Sequence, residues 1–165
     1  MNAKKTVAVC FVCLGNICRS PLAEGIFKDL VSREKLDDVI HVDSAGTSAW
    51  HQGEPADKRM SHTARSKGVF LTSKARQFLR EDFDRFDIVL AMDNSNIERL
   101  RNLKSSDEIK NKLFMFRSFD PNHQGNLEVP DPYYGGEQGF EHVYKIVERT
   151  CPELLRHIRS KFSIY

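Results

Sequence analysis

The chain has 165 residues, enough to bury a core without disulfide or metal staples and short enough for one domain, which we expect to span 1–165. Its 25 Lys and Arg against 23 Asp and Glu leave a net charge of +2 with the two signs interspersed, which argues against a nucleic-acid or acidic-membrane partner. Four cysteines, three of them between positions 10 and 18, are not the dispersed framework of a stapled secreted domain, and no apolar run approaches the roughly 18–20 residues of a membrane span, so a soluble, cytoplasmic protein with a reactive thiol is the expectation.

After Lys4 and Lys5, Thr6 to Val12 is β-branched and apolar on both faces, the pattern of a central parallel strand covered on each side. The segment Cys13 to Arg19 is a loop, and Ser20-Pro21 opens a helix over about 20–34, with Leu22, Ile26 and Leu30 at spacing four. Residues 39–42 form a second strand that ends at the turn-rich Asp43-Ser44-Ala45-Gly46. Residues 56–67 read as a helix stopped by Gly68. A third strand covers 88–92 and is closed by Asp93-Asn94-Ser95, where Asp93 is most economically a cap for the helix through Ile97, Leu100 and Leu103. Residues 113–116 form a fourth strand. The stretch 117–136 holds Pro121, Pro130, Pro132 and Gly135-Gly136 and reads as a long loop without regular structure. Phe140, Val143, Ile146 and Val147 then recur at helical spacing, and Pro152 either kinks this segment or starts a second helix ending near Phe162. The clusters Arg99, Arg101, Lys104 and Arg156, Arg159, Lys161 read as solvated helix faces.

Strands alternating with helices predict an α/β three-layer sandwich, a parallel sheet of about four strands flanked by helices, with ligand bound beyond the carboxyl ends of the strands. The loops carrying Cys13 to Arg19, Asp43 to Trp50, Asp93 to Asn96 and Asp120 to Tyr134 then meet on one rim.

The sharpest chemical signal is Cys13-Leu14-Gly15-Asn16-Ile17-Cys18-Arg19-Ser20, a Cys-x5-Arg-Ser loop between a strand and a helix. With Gly15 and Asn16 tolerant of positive φ, such a loop turns successive N–H groups inward around an anion, the helix adds its positive end, and the fork of Arg19 suits two phosphate oxygens. The same field favours a Cys13 thiolate, a nucleophile facing phosphorus, and Ser20 is placed to hydrogen-bond its sulfur. A Cys10-x-x-Cys13 redox or zinc reading fails, because Cys10 lies inside a strand and no second ligand pair exists. Cys151 reads as a core thiol. Trp50, Tyr133 and Tyr134 lie on loops flanking the pocket, where their rings can sandwich a phenol, and His51 beside them either tunes substrate choice or is a solvated loop residue. For a proton donor the residues leave Asp43, Asp93, Asp120 and Asp131 as candidates; Asp43 and Asp120 also suit turns, and Asp131 sits between two stiffening prolines.

Val12-Cys-Leu-Gly-Asn-Ile-Cys-Arg-Ser-Pro21, followed in order by Asp43-Ser44-Ala45-Gly46-Thr47, Lys74-Ala75-Arg76-Gln77, Ala91-Met92-Asp93 and Val129-Pro130-Asp131-Pro132-Tyr133-Tyr134, resembles the low-molecular-weight protein tyrosine phosphatase family from about residue 6 onward. The resemblance implies hydrolysis of phosphotyrosine through a phosphocysteine on Cys13, with Arg19 as phosphate clamp, Asp131 as general acid, and Trp50, Tyr133 and Tyr134 walling a deep cleft. It implies that Asn16 and Ser44 brace the phosphate loop and that Cys18 can form a disulfide with Cys13. No cofactor or metal is expected. Partners are phosphotyrosine-containing proteins, with inorganic phosphate and other oxyanions as competitive ligands and a monomeric or weakly dimeric enzyme. Ser73 stands where many eukaryotic members carry a bracing histidine. The arginine-phosphatase branch typically has threonine where this chain has Ile17, and arsenate reductase chemistry needs further cysteines where residues 70–100 have none.

Overall fold

Alternation along β1 (Val7–Cys13) organises the molecule: Val7, Val9, Phe11 and Cys13 enter one hydrophobic cluster, while Cys10 and Val12 enter another on the opposite face. A strand buried on both sides must lie mid-sheet. A computed structural model, which describes residues 5–165 and so leaves Lys4 outside, places β1 between β2 (Ile40–Gly46) and β3 (Ile88–Ala91), with β4 (Leu113–Met115) beyond β3. All pairings are parallel, in the order β2-β1-β3-β4. One face carries α1 (Arg19–Arg33), α2 (Lys58–Ser66) and α6 (Glu137–Phe162), and the other carries α3 (Asp82–Arg85), α4 (Asn94–Arg101) and α5 (Ser106–Ile109). This is the expected three-layer α/β fold. The ring of Phe11 meets Phe27 and Phe116 edge-on at 5.7 and 5.4 Å, tying sheet, α1 and the chain after β4 together. No helix among the described residues is long and apolar enough to cross a membrane.

The differences from the sequence expectation have tertiary causes. Strand β2 does not stop at Asp43, since the ladder to β1 continues through Cys10–Asp43, Phe11–Ser44 and Val12–Ala45 to Cys13–Gly46. A parallel partner supplies bonds that override the turn preference of Asp-Ser-Ala-Gly. Helix α6 passes through Pro152 as one element of 26 residues. An internal proline costs about 3 kcal/mol, but Val147, Cys151, Leu154, Leu155 and Ile158 on either side of it are all buried, and burial is worth about 1.5–3 kcal/mol for each large apolar side chain. The short α3 and α5 lie outside the expected elements, and the presumed solvent residue Lys104 is held by Asp84 at 2.6 Å.

The loop after β4 begins with a 3-10 turn, Phe116–Phe119. Asp120 is fully buried there, accepting from the Asn122 amide at 2.9 Å, Arg117 Nε at 3.0 Å and Arg149 Nε and Nη2 at 2.8 and 2.9 Å. Burial opposes its charge, but Arg149, the Asn122 amide and Arg117 outweigh it and hold its pKa down at about 2. The stabilisation is therefore complete above the unfolded carboxylate value near 4 and is lost as pH falls through about 2, amounting to about 2 kcal/mol. Asp120→Asn is expected to destabilise the protein at pH 7 and to flatten this acid limb in urea titrations; an unchanged acid limb would assign it to another group. Further along, the Val129 amide bonds Met92 O at 2.7 Å and brings the loop back to the sheet rim.

Candidate active site

At the carboxyl end of β1 the chain leaves the sheet and turns closely over Gly46 of β2, the ladder partner of Cys13. A Cβ there would sit 2.7 Å from Leu14 O and 3.2 Å from Asn16 N. The loop rests on this glycine and is fastened by its carbonyls: Cys13 O accepts from Thr47 N at 2.8 Å, Leu14 O from Ser48 N at 3.0 Å and Ile17 O from Asp57 N at 2.8 Å. Among the described residues no backbone carbonyl accepts from the N–H groups of Leu14 to Cys18. Five consecutive donors are thus left at the N-terminal end of α1. Asn16 supplies the left-handed turn, at φ 57°. Gly15, though tolerant of positive φ, does not adopt it; its lack of a side chain matters because a Cβ would lie 2.9 Å from the His51 ring.

Beneath the loop runs a chain of buried polar groups. Cys13 Sγ is 3.0 Å from Ser20 Oγ, which accepts from Asn16 Nδ2 at 2.8 Å. The same Nδ2 reaches Ser44 Oγ at 2.9 Å, and Asn16 Oδ1 accepts from the Arg76 amide at 3.0 Å. Ser44 in turn donates to Glu24 at 2.5 Å, whose other oxygen takes Lys28 Nζ at 2.6 Å. Asn16 and Ser44 therefore stand together, and the chain ends on Glu24 without involving Ser73. Glu24 escaped the sequence reading because Glu-x3-Lys on a helix looks like a surface pair. Nothing local marks it as buried.

Arg19 is 2% exposed, with Nη1 donating to Asp93 Oδ2 at 2.7 Å and Val129 O at 3.0 Å, and with Nη2 3.5 Å from Asp131 Oδ2. Burial opposes its charge, but the Cys13 sulfur, Asp93 and Asp131 outweigh that and raise its pKa above the ordinary value. Asp93 does cap α4, through Oδ1 to Asn96 N at 2.8 Å, and its second oxygen orients Arg19. Asp43 accepts from its neighbour Ser44 N and pairs with Arg76. Asp131 is the candidate carboxylate that faces the cleft, its side chain 39% exposed and one oxygen accepting from Tyr133 N at 3.1 Å.

The cleft is floored by Cys13, Leu14, Gly15, Ile17, Cys18 and Arg19 and walled by Trp50, His51, Asp131, Tyr133 and Tyr134. Asn16, Ser20 and Ser44 lie behind the floor. Tyr133 and Tyr134 meet edge-on at 4.9 Å, while His51 is held by Glu54 at 2.5 Å and approaches the Tyr133 ring at 6.2 Å. The four thiols, Cys10, Cys13, Cys18 and Cys151, are free and buried. Burial pushes the Cys18 thiol well up, with Asp57 and Cys13 adding to it, and burial alone does the same for Cys151. Among the described residues no group of three or more His, Cys, Asp or Glu could hold a metal ion.

A family model described as low molecular weight phosphotyrosine protein phosphatase matches residues 8–163. A low molecular weight protein-tyrosine-phosphatase of Streptomyces coelicolor is 43% identical over 157 residues, 94% of this chain and 96% of that protein. The low molecular weight phosphotyrosine protein phosphatase of Mus musculus is 44% identical over 151 residues, 90% of this chain and 93% of that one. Among solved structures, a protein tyrosine phosphatase from Entamoeba histolytica superposes with a TM-score of 0.89 at 38% identity, covering 94% of this chain and 99% of that chain. With the family pattern, the parallel sheet and the Cys-x5-Arg loop all in agreement, this chain belongs to the low-molecular-weight phosphotyrosine protein phosphatase family.

Proposed function

We propose that the protein hydrolyses phosphotyrosine in phosphoproteins through a covalent phosphocysteine on Cys13. The observation that carries this reading is the run of amides from Leu14 to Cys18 without backbone partners, following Cys13 in a loop that lines the cleft, with Arg19 at its end and Asp131 also lining the cleft. A phosphate monoester entering the loop receives hydrogen bonds from these amides and two more from Arg19, whose side chain is already oriented by Asp93. The Cys13 sulfur attacks phosphorus in line with the tyrosyl oxygen, the P–O bond breaks, and Asp131 gives its proton to the departing phenolate. Asp131, now ionised, takes a proton from the water that attacks the phosphocysteine. Phosphate leaves, and the Ser20 hydroxyl at 3.0 Å stabilises the returning thiolate. Trp50, Tyr133 and Tyr134 receive the aryl ring, and Ile17 presents an apolar side chain to it.

Cys18 shares the pocket floor with Cys13, which supports a redox role. Peroxide oxidises the Cys13 thiolate to a sulfenic acid, the Cys18 sulfur displaces water from it, and the resulting disulfide is returned to two thiols by an added dithiol.

A panel of phosphotyrosine, phosphoserine and phosphoarginine peptides at matched concentration, run before and after peroxide, tests both statements. Phosphotyrosine is expected to be favoured over the other two by at least about 10²-fold. Preferred cleavage of phosphoarginine would move the protein to the arginine-phosphatase reading, and no turnover of any peptide would leave an inert anion-binding module. Activity lost to peroxide is expected to return with dithiol in the wild type and to return poorly in Cys18→Ala. Equal recovery in both would remove Cys18 from the redox role.

A further inference from the structure

The nucleophile and the candidate acid lie on loops 118 residues apart in sequence, and the direct contact between them is thin. Arg19 Nη2 and Asp131 Oδ2 are 3.5 Å apart, and both groups are needed by the substrate. A second connection runs outside the pocket. The Ile17 carbonyl of the phosphate loop accepts from the Asp57 amide at 2.8 Å. The Asp57 carboxylate caps α2 and holds Arg59 by two bonds, Nε to Oδ1 at 3.2 Å and Nη2 to Oδ2 at 3.0 Å. Arg59 Nη2 also donates to the Tyr133 carbonyl at 3.0 Å, and the Tyr133 amide donates to Asp131 Oδ1 at 3.1 Å. The Arg59 guanidinium lies 5.4 Å from the Tyr133 ring centre and 4.7 Å from that of Phe140, which is fully buried in α6. Each link from the floor of the pocket to the carboxylate is thus a hydrogen bond or a covalent step, anchored on α2 and α6.

We infer that Arg59 is a positioning residue that fixes Asp131 opposite Cys13 by tying the acid-bearing loop to the phosphate loop through Asp57. The inference rests on Asp131 being the general acid. Arg59 touches neither the reacting atoms nor the phosphate, and it is absent from the lining of the catalytic cleft. Its side chain is 48% exposed, so as an ion pair it adds little to stability in a screened setting. Its value is geometric. The planar fork engages a carboxylate and a carbonyl at once while stacking on two rings, which a lysine cannot reproduce. A proton donor must stand within hydrogen-bond reach of the leaving oxygen, and a displacement of about 1 Å caused by a remote change can cost 10²-fold in rate. The Asp57 end of this link is held by charge as well as geometry: burial opposes the carboxylate, yet the bonds from the Arg59 side chain and amide and from the Met60 amide keep its pKa below the ordinary value.

The decisive experiment is a cycle of Arg59→Ala and Asp131→Ala, assayed on phosphotyrosine and on an aryl phosphate whose phenol is strongly acidic. Arg59→Ala is expected to lower kcat on phosphotyrosine by about 10- to 100-fold, and to lower it by less than about threefold on the acidic phenol, which leaves without a proton. In the Asp131→Ala background the same substitution is expected to change phosphotyrosine hydrolysis by less than about twofold, since the group it positions is gone. Arg59→Lys should fall between wild type and alanine. Tm is expected to drop by less than about 3 °C, and inhibition by inorganic phosphate should be unchanged. Equal losses on both phenols, or a loss that multiplies that of Asp131→Ala, would overturn the positioning role and leave a structural one, because general misfolding would also lower the residual activity of Asp131→Ala. If Asp131→Ala alone proves insensitive to the leaving group, the acid assignment fails first and takes this inference with it.

Discussion

Cys13→Ser is expected to abolish turnover while leaving the anion site in place. The sulfur occupies a buried position 3.0 Å from Ser20 Oγ at the foot of the loop amides, and serine fits that space without moving Gly46, Asn16 or Ser44. What it lacks is nucleophilicity. A serine hydroxyl stays protonated at neutral pH, and no imidazole or lysine lines the floor to take its proton; His51 stands on the wall, with Nδ1 engaged by Glu54. Loss of a covalent nucleophile typically lowers kcat by about 10⁴-fold or more. Phosphate or vanadate should still bind, since the donors are the backbone amides of Leu14 to Cys18 and the Arg19 side chain. The measurement is steady-state hydrolysis by the purified variant together with calorimetric titration of phosphate. Turnover within a hundredfold of wild type would sink the covalent mechanism, and loss of phosphate binding would show that the thiol itself holds the loop open.

Asp131→Ala should slow phosphotyrosine hydrolysis by about 10² to 10³, within the usual range for a lost general acid. The loss should shrink toward nothing as the leaving phenol becomes more acidic. Expelling tyrosine, with a pKa near 10, as a free phenolate at pH 7 is costly. The other carboxylates cannot substitute. Asp93 spends one oxygen on Asn96 and the other on Arg19, Asp120 is buried between Arg117 and Arg149, and Asp43 pairs with Arg76. Rates for Asp131→Ala across a phenol series should fall with leaving-group pKa more steeply than those of the wild type. Parallel lines would place the acid elsewhere.

Much of this protein was legible in its sequence because the information is local. The loop from Cys13 to Arg19 is one contiguous turn between a strand and a helix, so the buried thiol, the free loop amides and the arginine beside them follow from seven adjacent residues. Double-sided burial of Val7 to Val12 identifies a central parallel strand, and strand–helix alternation then leaves few topologies. Asp93 as a helix cap is equally local. Tertiary structure decided the matters that depend on which distant groups share a space. It showed that Asp131 faces the cleft while three similar aspartates are engaged elsewhere, and that Glu24 ends the chain supporting Asn16 where Ser73 takes no part. It seated the loop after β1 on Gly46, extended β2 to that glycine, and carried α6 through Pro152 as one element because the burial on both sides outweighs one missing hydrogen bond. It placed Arg59 between the two loops. Those outcomes are set by contacts across tens of residues, where pairing and burial exceed local propensity, and a pattern read along the chain does not contain them.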